Sequence, residues 1–492
     1  MTQLTDEQQE IANYKGNCLV VSAFAGTGKT FTLVEYAKAN PNDRILYMAF
    51  NKAICDEAKA KFPSNVEVRT SHSIAYSRFG SKLRHKLKPN LRLTDITNAL
   101  GVRDWALATQ IRNRLNEFMG SEDKDFEIDY NKSELMHTAE GQRLIQEEEA
   151  KLEQVRGFWK RMIDPNDSFP CVHDTYPKLY QLSEPELDKY YDTVLFDEAQ
   201  DANPVTSHIV LSQRCKKILV GDTHQQIYRF RGADNALHHP LLEEADRLYL
   251  TNSFRFGPKV ADLANMILEV KGETLEVKGL GGDDEVIHEV DNRLNSDLTV
   301  LHRTRSGTIA TAVSYMQSGK SVYWIGGIDA YGLNDLIDLF HLREGRHADI
   351  AQRQLLKDFP EYRFYLEAAE ESGDPEMNSN IKILNDLDNV PLVARELRQN
   401  AVSNIRAADV IVSTAHRSKG LEWDTVVLYD DFPDLIDEGE LAFDEKEIED
   451  ELNLLYVAAT RAQQLLYVPK TIMANIRAVD LVQSRRGLEV TE

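Results

Sequence analysis

Two short segments far apart in the chain, AFAGTGKT at 23–30 and VLFDEAQD at 194–201, restrict what it can fold into more than any other feature. CLVVSA (Cys18–Ala23) is a short apolar run of strand character. In the turn that follows, Ala25, Gly26, Thr27 and Gly28, the glycines free the backbone so that successive N–H groups point at phosphate oxygens. Lys29 supplies a point charge for the outer phosphates, and Thr30 a hydroxyl for Mg²⁺. FTLVEYAKAN then reads as a helix whose N-terminus faces those phosphates. The first Gly of the common phosphate-loop pattern is Ala23 here. YDTVLF (Tyr191–Phe196) is a second apolar strand, and it delivers Asp197 and Glu198 at its carboxyl end. Open α/β sheets bind ligands at that end. Asp197 is expected to hold Mg²⁺, and Glu198 to orient and deprotonate an attacking water. The chemistry is that of an ATP hydrolase on a parallel α/β sheet.

At 492 residues the chain exceeds one core, and about three or four domains are expected. The net charge of −23 argues at first sight against a polyanion partner. Residues 430–451, however, hold twelve acids and one Lys, leaving −12 over the other 470 residues. Residues 78–92, RFGSKLRHKLKPNLR, hold six Lys/Arg and no acid. Local fields decide whether phosphate backbones dock. The basic stretch reads either as such a surface or as a solvated face. The acidic one reads as a solvated loop plus the start of a helix, with repulsion of DNA, mimicry of DNA and protein docking all open. No run of about 18 apolar residues suggests a membrane span. The polar start MTQLTDEQQE is unlike a secretory signal, and the four widely spaced cysteines read as ordinary thiols. The expected location is cytoplasmic, nucleoid-associated in a prokaryote.

Further motifs follow in a fixed order. Gln8 sits in LTDEQQ, TSHS spans Thr70–Ser73, and GDTHQQIYRFRGA spans Gly221–Ala233. NSFR ends at Arg255, TAHRSKGLEWD spans Thr414–Asp424, and LLYVAATRA spans Leu454–Ala462. This order resembles the superfamily 1 DNA helicases of the UvrD/Rep type over nearly the whole chain. The match is weakest near 80–185 and 345–405. AFAGTGKT, YMAFNK, VGDTHQQIYRFRGA, SFRFG and NLLYVAATRA look closest to the helicase core of the F-box DNA helicases. No F-box-like segment precedes Gln8, so coupling to a ubiquitin ligase is not carried over.

The resemblance implies two RecA-like cores with parallel sheets, ATP in the cleft between them, and a mainly helical subdomain inserted in each. The first core is expected at 1–75 and 188–255, with its insert at 76–187. The second is expected at 256–340 and 406–480, with a short insert at 341–405 and a tail at 481–492. By the same resemblance Gln8 reads the adenine edge and Phe254 stacks on the ring. Gln225 senses the γ-phosphate, Arg255 and Arg461 reach it from the second core, and Glu422 holds the ribose hydroxyl. Phe50, Asn51, Thr70, His72, Tyr228, Phe230, Arg231, His416 and Arg417 fall where the family contacts a single strand, with Phe230 stacking on a base. For His72 and His416 a satisfied interior histidine is the competing reading.

Residues 133–162 have helical periodicity with an acidic face. Residues 346–380, RHADIAQRQLLKDFPEYRFYLEAAEESGDPEMNSN, read as a helix ending in a polar loop. The function expected is an ATP-dependent 3′→5′ motor on single-stranded and tailed duplex DNA that separates duplexes and strips bound proteins in repair or recombination. The alternative is a DNA-stimulated ATPase that serves as a switch or recruitment component for a nuclease or recombination partner in repair or anti-phage defence.

Overall fold

The computed structural model describes residues 3–49, 51–126, 139–295 and 297–489. The chain divides into two compact units. One comprises Met1–Ser22, Lys29–Thr223 and Tyr228–Tyr249, the other Ala23–Gly28, His224–Ile227 and Leu250–Glu492.

The first unit is built on a six-stranded sheet. Its order is Val66–Thr70, Ile45–Ala49, Thr193–Phe196, Lys216–Gly221, Cys18–Ala23 and Asp246–Leu250. The first five strands pair in parallel. Ile45–Ala49 and Thr193–Phe196 are buried at every residue, as expected of strands covered by helices on both faces. Val20, Leu46, Val194, Phe196 and Leu219 pack there with Val205 and Ile209 of the helix Pro204–Leu211. Because these strands run the same way, Lys29, Asn51, Thr70, Asp197 and Asp222 all follow carboxyl ends of one sheet. Helices Leu93–Leu100, Trp105–Gly120, Ala139–Ile163 and Thr175–Leu182 fill most of the interval between Thr70 and Thr193. Of the helix expected over 133–162, residues 133–138 lie outside the described residues.

The second unit carries another six-stranded sheet, all parallel. Its order is Glu285–Ile287, Ala462–Tyr467, Trp423–Leu428, Leu298–His302, Val410–Thr414 and Val322–Trp324. A run of helices from Leu333 to Asn400 interrupts it. The segment read as a helix with a polar loop is different in the structure. Tyr362–Ser372 ends at Gly373, whose φ of +62° suits glycine, and a new helix spans Pro375–Asp386. Asp374 caps it by accepting the Glu376 and Met377 amides at 3.0 Å, with Pro375 at the first helical position. The caps outweigh the polar composition of PEMNSN. The helix Lys470–Glu489 also runs through most of the stretch read as a tail.

The acidic stretch is only partly solvated. Ile436–Asp437 and Glu440–Leu441 pair as a small hairpin, and Asp444 caps the helix Glu445–Ala459 through a capping box with Glu447. Asp431 is mostly buried and accepts the Arg303 and Thr304 amides at 2.7 and 3.0 Å. Glu451 takes the Arg303 guanidinium at 2.6 Å. These two acids hold the start of the helix Arg305–Gln317 rather than facing solvent.

His302, at the end of the central strand, is fully buried, and neither ring nitrogen has a hydrogen-bond partner. Asp431 Oδ2 is 3.9 Å away, too far to offset desolvation, and burial pushes the imidazole pKa down to about 3. The unfolded chain therefore binds a proton near the ordinary value of about 6.5 that the folded chain refuses. Stability should fall as pH drops from 6.5 toward 3, by up to about 1.4 kcal/mol per pH unit from this group. Denaturant midpoints of the wild type and His302→Gln across that range check this, and the variant should show the shallower dependence.

The four cysteines form no disulfide. Burial raises the Cys18 and Cys215 thiols and pushes Cys171 up to about 11. No helix among the described residues is long and apolar enough to cross a membrane.

Candidate nucleotide and strand-binding sites

In the first unit, Lys29 and Thr30 open the helix Lys29–Ala39, and Asp197 and Glu198 follow the strand Thr193–Phe196. Thr30 Oγ1 donates to Asp197 Oδ2 at 3.0 Å, and Lys29 Nζ lies 3.7 Å from Glu198 Oε1. The same Asp197 oxygen accepts the Tyr47 hydroxyl at 2.6 Å. Burial first, then the charge of Glu198, push the Asp197 carboxyl upward, while Tyr47, Lys29 and Thr30 oppose the shift. Burial and the Asp197 charge keep the Tyr47 hydroxyl protonated, so it stays a donor.

Glu198 adopts φ +53°, a left-handed conformation that costs a non-glycine residue about 1 kcal/mol or more. Gln200 supports it, donating from Nε2 to Glu198 Oε2 at 2.6 Å and accepting the Asp222 amide on Oε1 at 3.1 Å. A Cβ at Gly221 would lie 2.3 Å from Gln200 Oε1, so that approach requires glycine. Sequence reading missed Tyr47 and Gln200. Among the described residues no group of three or more His, Cys, Asp or Glu could hold a metal ion. Two hard oxygens, Thr30 Oγ1 and Asp197 Oδ2, suit Mg²⁺, which keeps waters and phosphate oxygens as its other ligands.

Gln8 is buried, and its Oε1 accepts the Thr5 amide at 3.2 Å in a capping box that fixes the side-chain amide. In the second unit, Gly26 has φ +75°, and a Cβ there would meet Ser253 Oγ at 2.4 Å and Arg255 Cβ at 2.7 Å. Gly28 is likewise left-handed at φ +80°. The Ala25 amide donates to the Tyr456 hydroxyl at 3.1 Å, and Thr27 Oγ1 to the Phe24 carbonyl at 2.8 Å. Phe254 is half exposed, with its amide on the Gly26 carbonyl at 2.9 Å.

Arg461 is almost fully buried. It donates to the carbonyls of Val457 and Leu421 at 2.8 and 3.2 Å and to Gln225 Oε1 at 3.4 Å. The structure thus brings the expected γ-phosphate sensor and one expected arginine together. Arg255 Nε pairs with Glu422 Oε2 at 2.6 Å, and Gln463 donates to the other Glu422 oxygen at 3.1 Å. Residues 224–227 are further anchored by groups that sequence reading did not single out. Lys419 Nζ donates to the Gln225 carbonyl at 2.6 Å, and Asn453 Nδ2 to the Gln226 carbonyl at 2.9 Å. His224 accepts from Lys271 Nζ at 2.8 Å on Nδ1 and bonds Glu273 through Nε2 at 3.0 Å.

The expected strand contacts differ in character. Phe230 is 68% exposed, with Tyr228 tilted against it at 6.4 Å between ring centroids. Phe50 and the side chain of Arg231 lie outside the described residues. Asn51 caps the helix Lys52–Lys61 through the Ile54 amide at 2.9 Å, and Thr70 caps Ser71–Ala75 through the Ser73 amide at 3.1 Å. His72 is partly exposed, its Nε2 3.5 Å from Asp174. His416 is half-buried in the helix Ala415–Ser418. Arg417 lies over the Tyr331 ring at 5.1 Å and donates to the Ala330 carbonyl at 2.9 Å.

The family model for the UvrD/REP helicase N-terminal domain matches residues 4–244, and that for the UvrD-like helicase C-terminal domain matches 242–472. The chain belongs to the UvrD/Rep-type DNA helicases. This UvrD-type chain is 32% identical to F-box DNA helicase 1 of Gallus gallus over 96% of its length and 49% of that protein's. It is 31% identical to F-box DNA helicase protein 1 of Schizosaccharomyces pombe, covering 95% of this chain and 58% of the relative. The chain therefore spans about half the length of these curated relatives. Gabija protein GajB of Bacillus cereus is 22% identical over 60% of this chain and 56% of its own.

Proposed function

We propose that the chain is an ATP-dependent DNA motor that translocates 3′→5′ on single-stranded DNA, separates duplexes and displaces bound proteins in repair or recombination. The observation that carries this reading is the group Lys29, Thr30, Asp197 and Glu198, with contacts of 3.0 and 3.7 Å at one sheet edge. Family membership supports the DNA substrate. Lys29 binds the outer phosphates, and Glu198, held by Gln200, orients the attacking water and takes its proton. Thr30 and Asp197 hold Mg²⁺, which neutralises phosphate charge. Gln225, Arg255 and Arg461 stabilise charge on the transferred phosphoryl group. Gln8, Phe254 and Glu422 position the nucleoside.

Phe230 and Tyr228 stack on bases, and Asn51, Thr70, His72, His416 and Arg417 follow the strand. Gln225 and Phe230 are five residues apart in one segment, so a change at the phosphate is transmitted along the chain to the stacking ring.

The test is ATP hydrolysis with and without single-stranded DNA, beside strand displacement from 3′- and 5′-tailed duplexes. Stimulation together with displacement from the 3′ tail alone is expected. Stimulation without displacement by the pure protein favours a DNA-responsive ATPase that works with a partner. That second reading is kept because the chain also resembles an ATP-dependent helicase/nuclease component of Limosilactobacillus fermentum, at 32% identity over 17% of its length. Phe230→Ala should raise the oligonucleotide concentration for half-maximal stimulation about 5- to 150-fold, the loss of one base–aromatic stack. An unchanged half-saturation point removes Phe230 from the strand site.

A further inference from the structure

Ser71–Ala75, Tyr76–Gly80, Ser81–Leu83 and Arg84–Lys86 follow one another with right-handed helical backbone at their junctions, so one helical rod leaves the TSHS segment. Its second turn is π-helical, a form rare in helices and frequent at functional sites. Ala75, Gly80, Leu83 and Lys86 face inward. Gly80 lies so close to Tyr176 that a Cβ would meet that ring at 3.0 Å.

The outward stripe consists of Ser77, Arg78, Ser81, Lys82, Arg84 and His85, all exposed. Every one of them can donate a hydrogen bond, and no Asp or Glu occurs between Glu67 and Asp95. The cations that follow are used internally. Lys86 Nζ donates to the carbonyls of Arg161, Asp164 and Asp167 at 2.7 to 3.0 Å. Lys88 and Arg92 pair with Asp95 at 3.3 and 2.7 Å. Arg78, Lys82 and Arg84 have no ion-pair partner among the described residues. In a chain of net charge −23, three unpaired cations within seven residues form a concentrated local field.

We propose that this stripe docks the phosphate backbone of double-stranded DNA next to the single strand held by the TSHS segment. The proposal deepens the motor reading above and rests on it. The stripe has no exposed Phe, Tyr or Trp, whereas binding of unpaired strands relies on bases stacking on such rings. A surface of donors alone reads phosphates, which positions a duplex without reading its sequence. From Ser77 to His85 the rod rises about 12 Å, the axial reach of three to four base pairs.

The test uses the full chain and a triple variant, Arg78→Gln, Lys82→Gln and Arg84→Gln, with folding checked by thermal unfolding. A control removes the same charge from exposed positions elsewhere: Lys357→Gln, Lys382→Gln and Arg395→Gln. Affinities for a 3′-tailed duplex and for the tail strand alone are measured by fluorescence anisotropy between about 50 and 200 mM salt. The stripe variant should lose about 2 to 3 from the slope of log K against log salt on the tailed duplex, close to 0.9 per cation. Its slope on the single strand should stay at the wild-type value, and the control should match the wild type on both. An unchanged duplex slope, equal losses on both substrates, or an equal effect of the control each overturns the stripe. A wild type that binds neither substrate and shows no DNA-stimulated hydrolysis overturns the motor reading itself.

Discussion

Lys29→Ala is expected to reduce ATP turnover about 10³-fold or more, with and without DNA, while the fold survives. The ammonium lies 3.7 Å from Glu198 and sits at the N-terminus of the helix Lys29–Ala39. Removing it takes away a charge matched to the phosphoryl oxygens, where such groups contribute roughly 10²–10⁵ in rate. The stability cost is small by comparison. The lysine pairs with a carboxylate that keeps a bond from Gln200, so Glu198 is not left bare. Turnover measured beside the thermal midpoint separates the two effects. Residual hydrolysis within tenfold of the wild type would remove Lys29 from the proposed chemistry.

Arg461→Lys should lower turnover almost as far, about 10³-fold, although it keeps the charge. The guanidinium spans the Val457 carbonyl, the Leu421 carbonyl and Gln225 Oε1 at once. An ammonium is a point charge without that planar fork and cannot hold the same three acceptors. Gln225 then loses the group that fixes its amide. Arg461→Ala leaves those buried acceptors unsatisfied and should also destabilise the second unit by about 3 to 5 kcal/mol. The comparison is informative because the lysine variant isolates the chemical contribution. A lysine variant with wild-type turnover would make Arg461 a structural cap alone.

The parts of the candidate site legible in the sequence are those where one local segment does the chemistry. Gly26, Gly28, Lys29 and Thr30 are fixed by what a phosphate needs from a turn and a helix start. Asp197 and Glu198 are fixed by the end of an apolar strand. Tyr47 and Gln200 leave no such signal. Tyr47 reaches Asp197 across neighbouring strands 150 residues apart in the chain, and Gln200 bonds the Asp222 amide 22 residues on. Side-chain pairings of that range follow from register, which a motif does not encode. Asn51 and Thr70 show the opposite difficulty, since both stand where a strand contact is expected and both also cap helices. The two sheets are readable from their apolar runs. The helix Pro375–Asp386 is not, because its start depends on Asp374 and Pro375 in an otherwise polar stretch.

The buried thiols carry a practical consequence. A cysteine reacts with electrophiles as the thiolate, and burial suppresses that form at Cys18, Cys171 and Cys215. Cys55 is itself shielded from reagents, at 6% exposure. The native protein should therefore take up maleimide slowly at neutral pH. One cysteine introduced at exposed Lys357 and another at exposed Lys59 would accept donor and acceptor dyes without deleting any natural residue's partner in the core. Energy transfer between them would follow each catalytic cycle in real time.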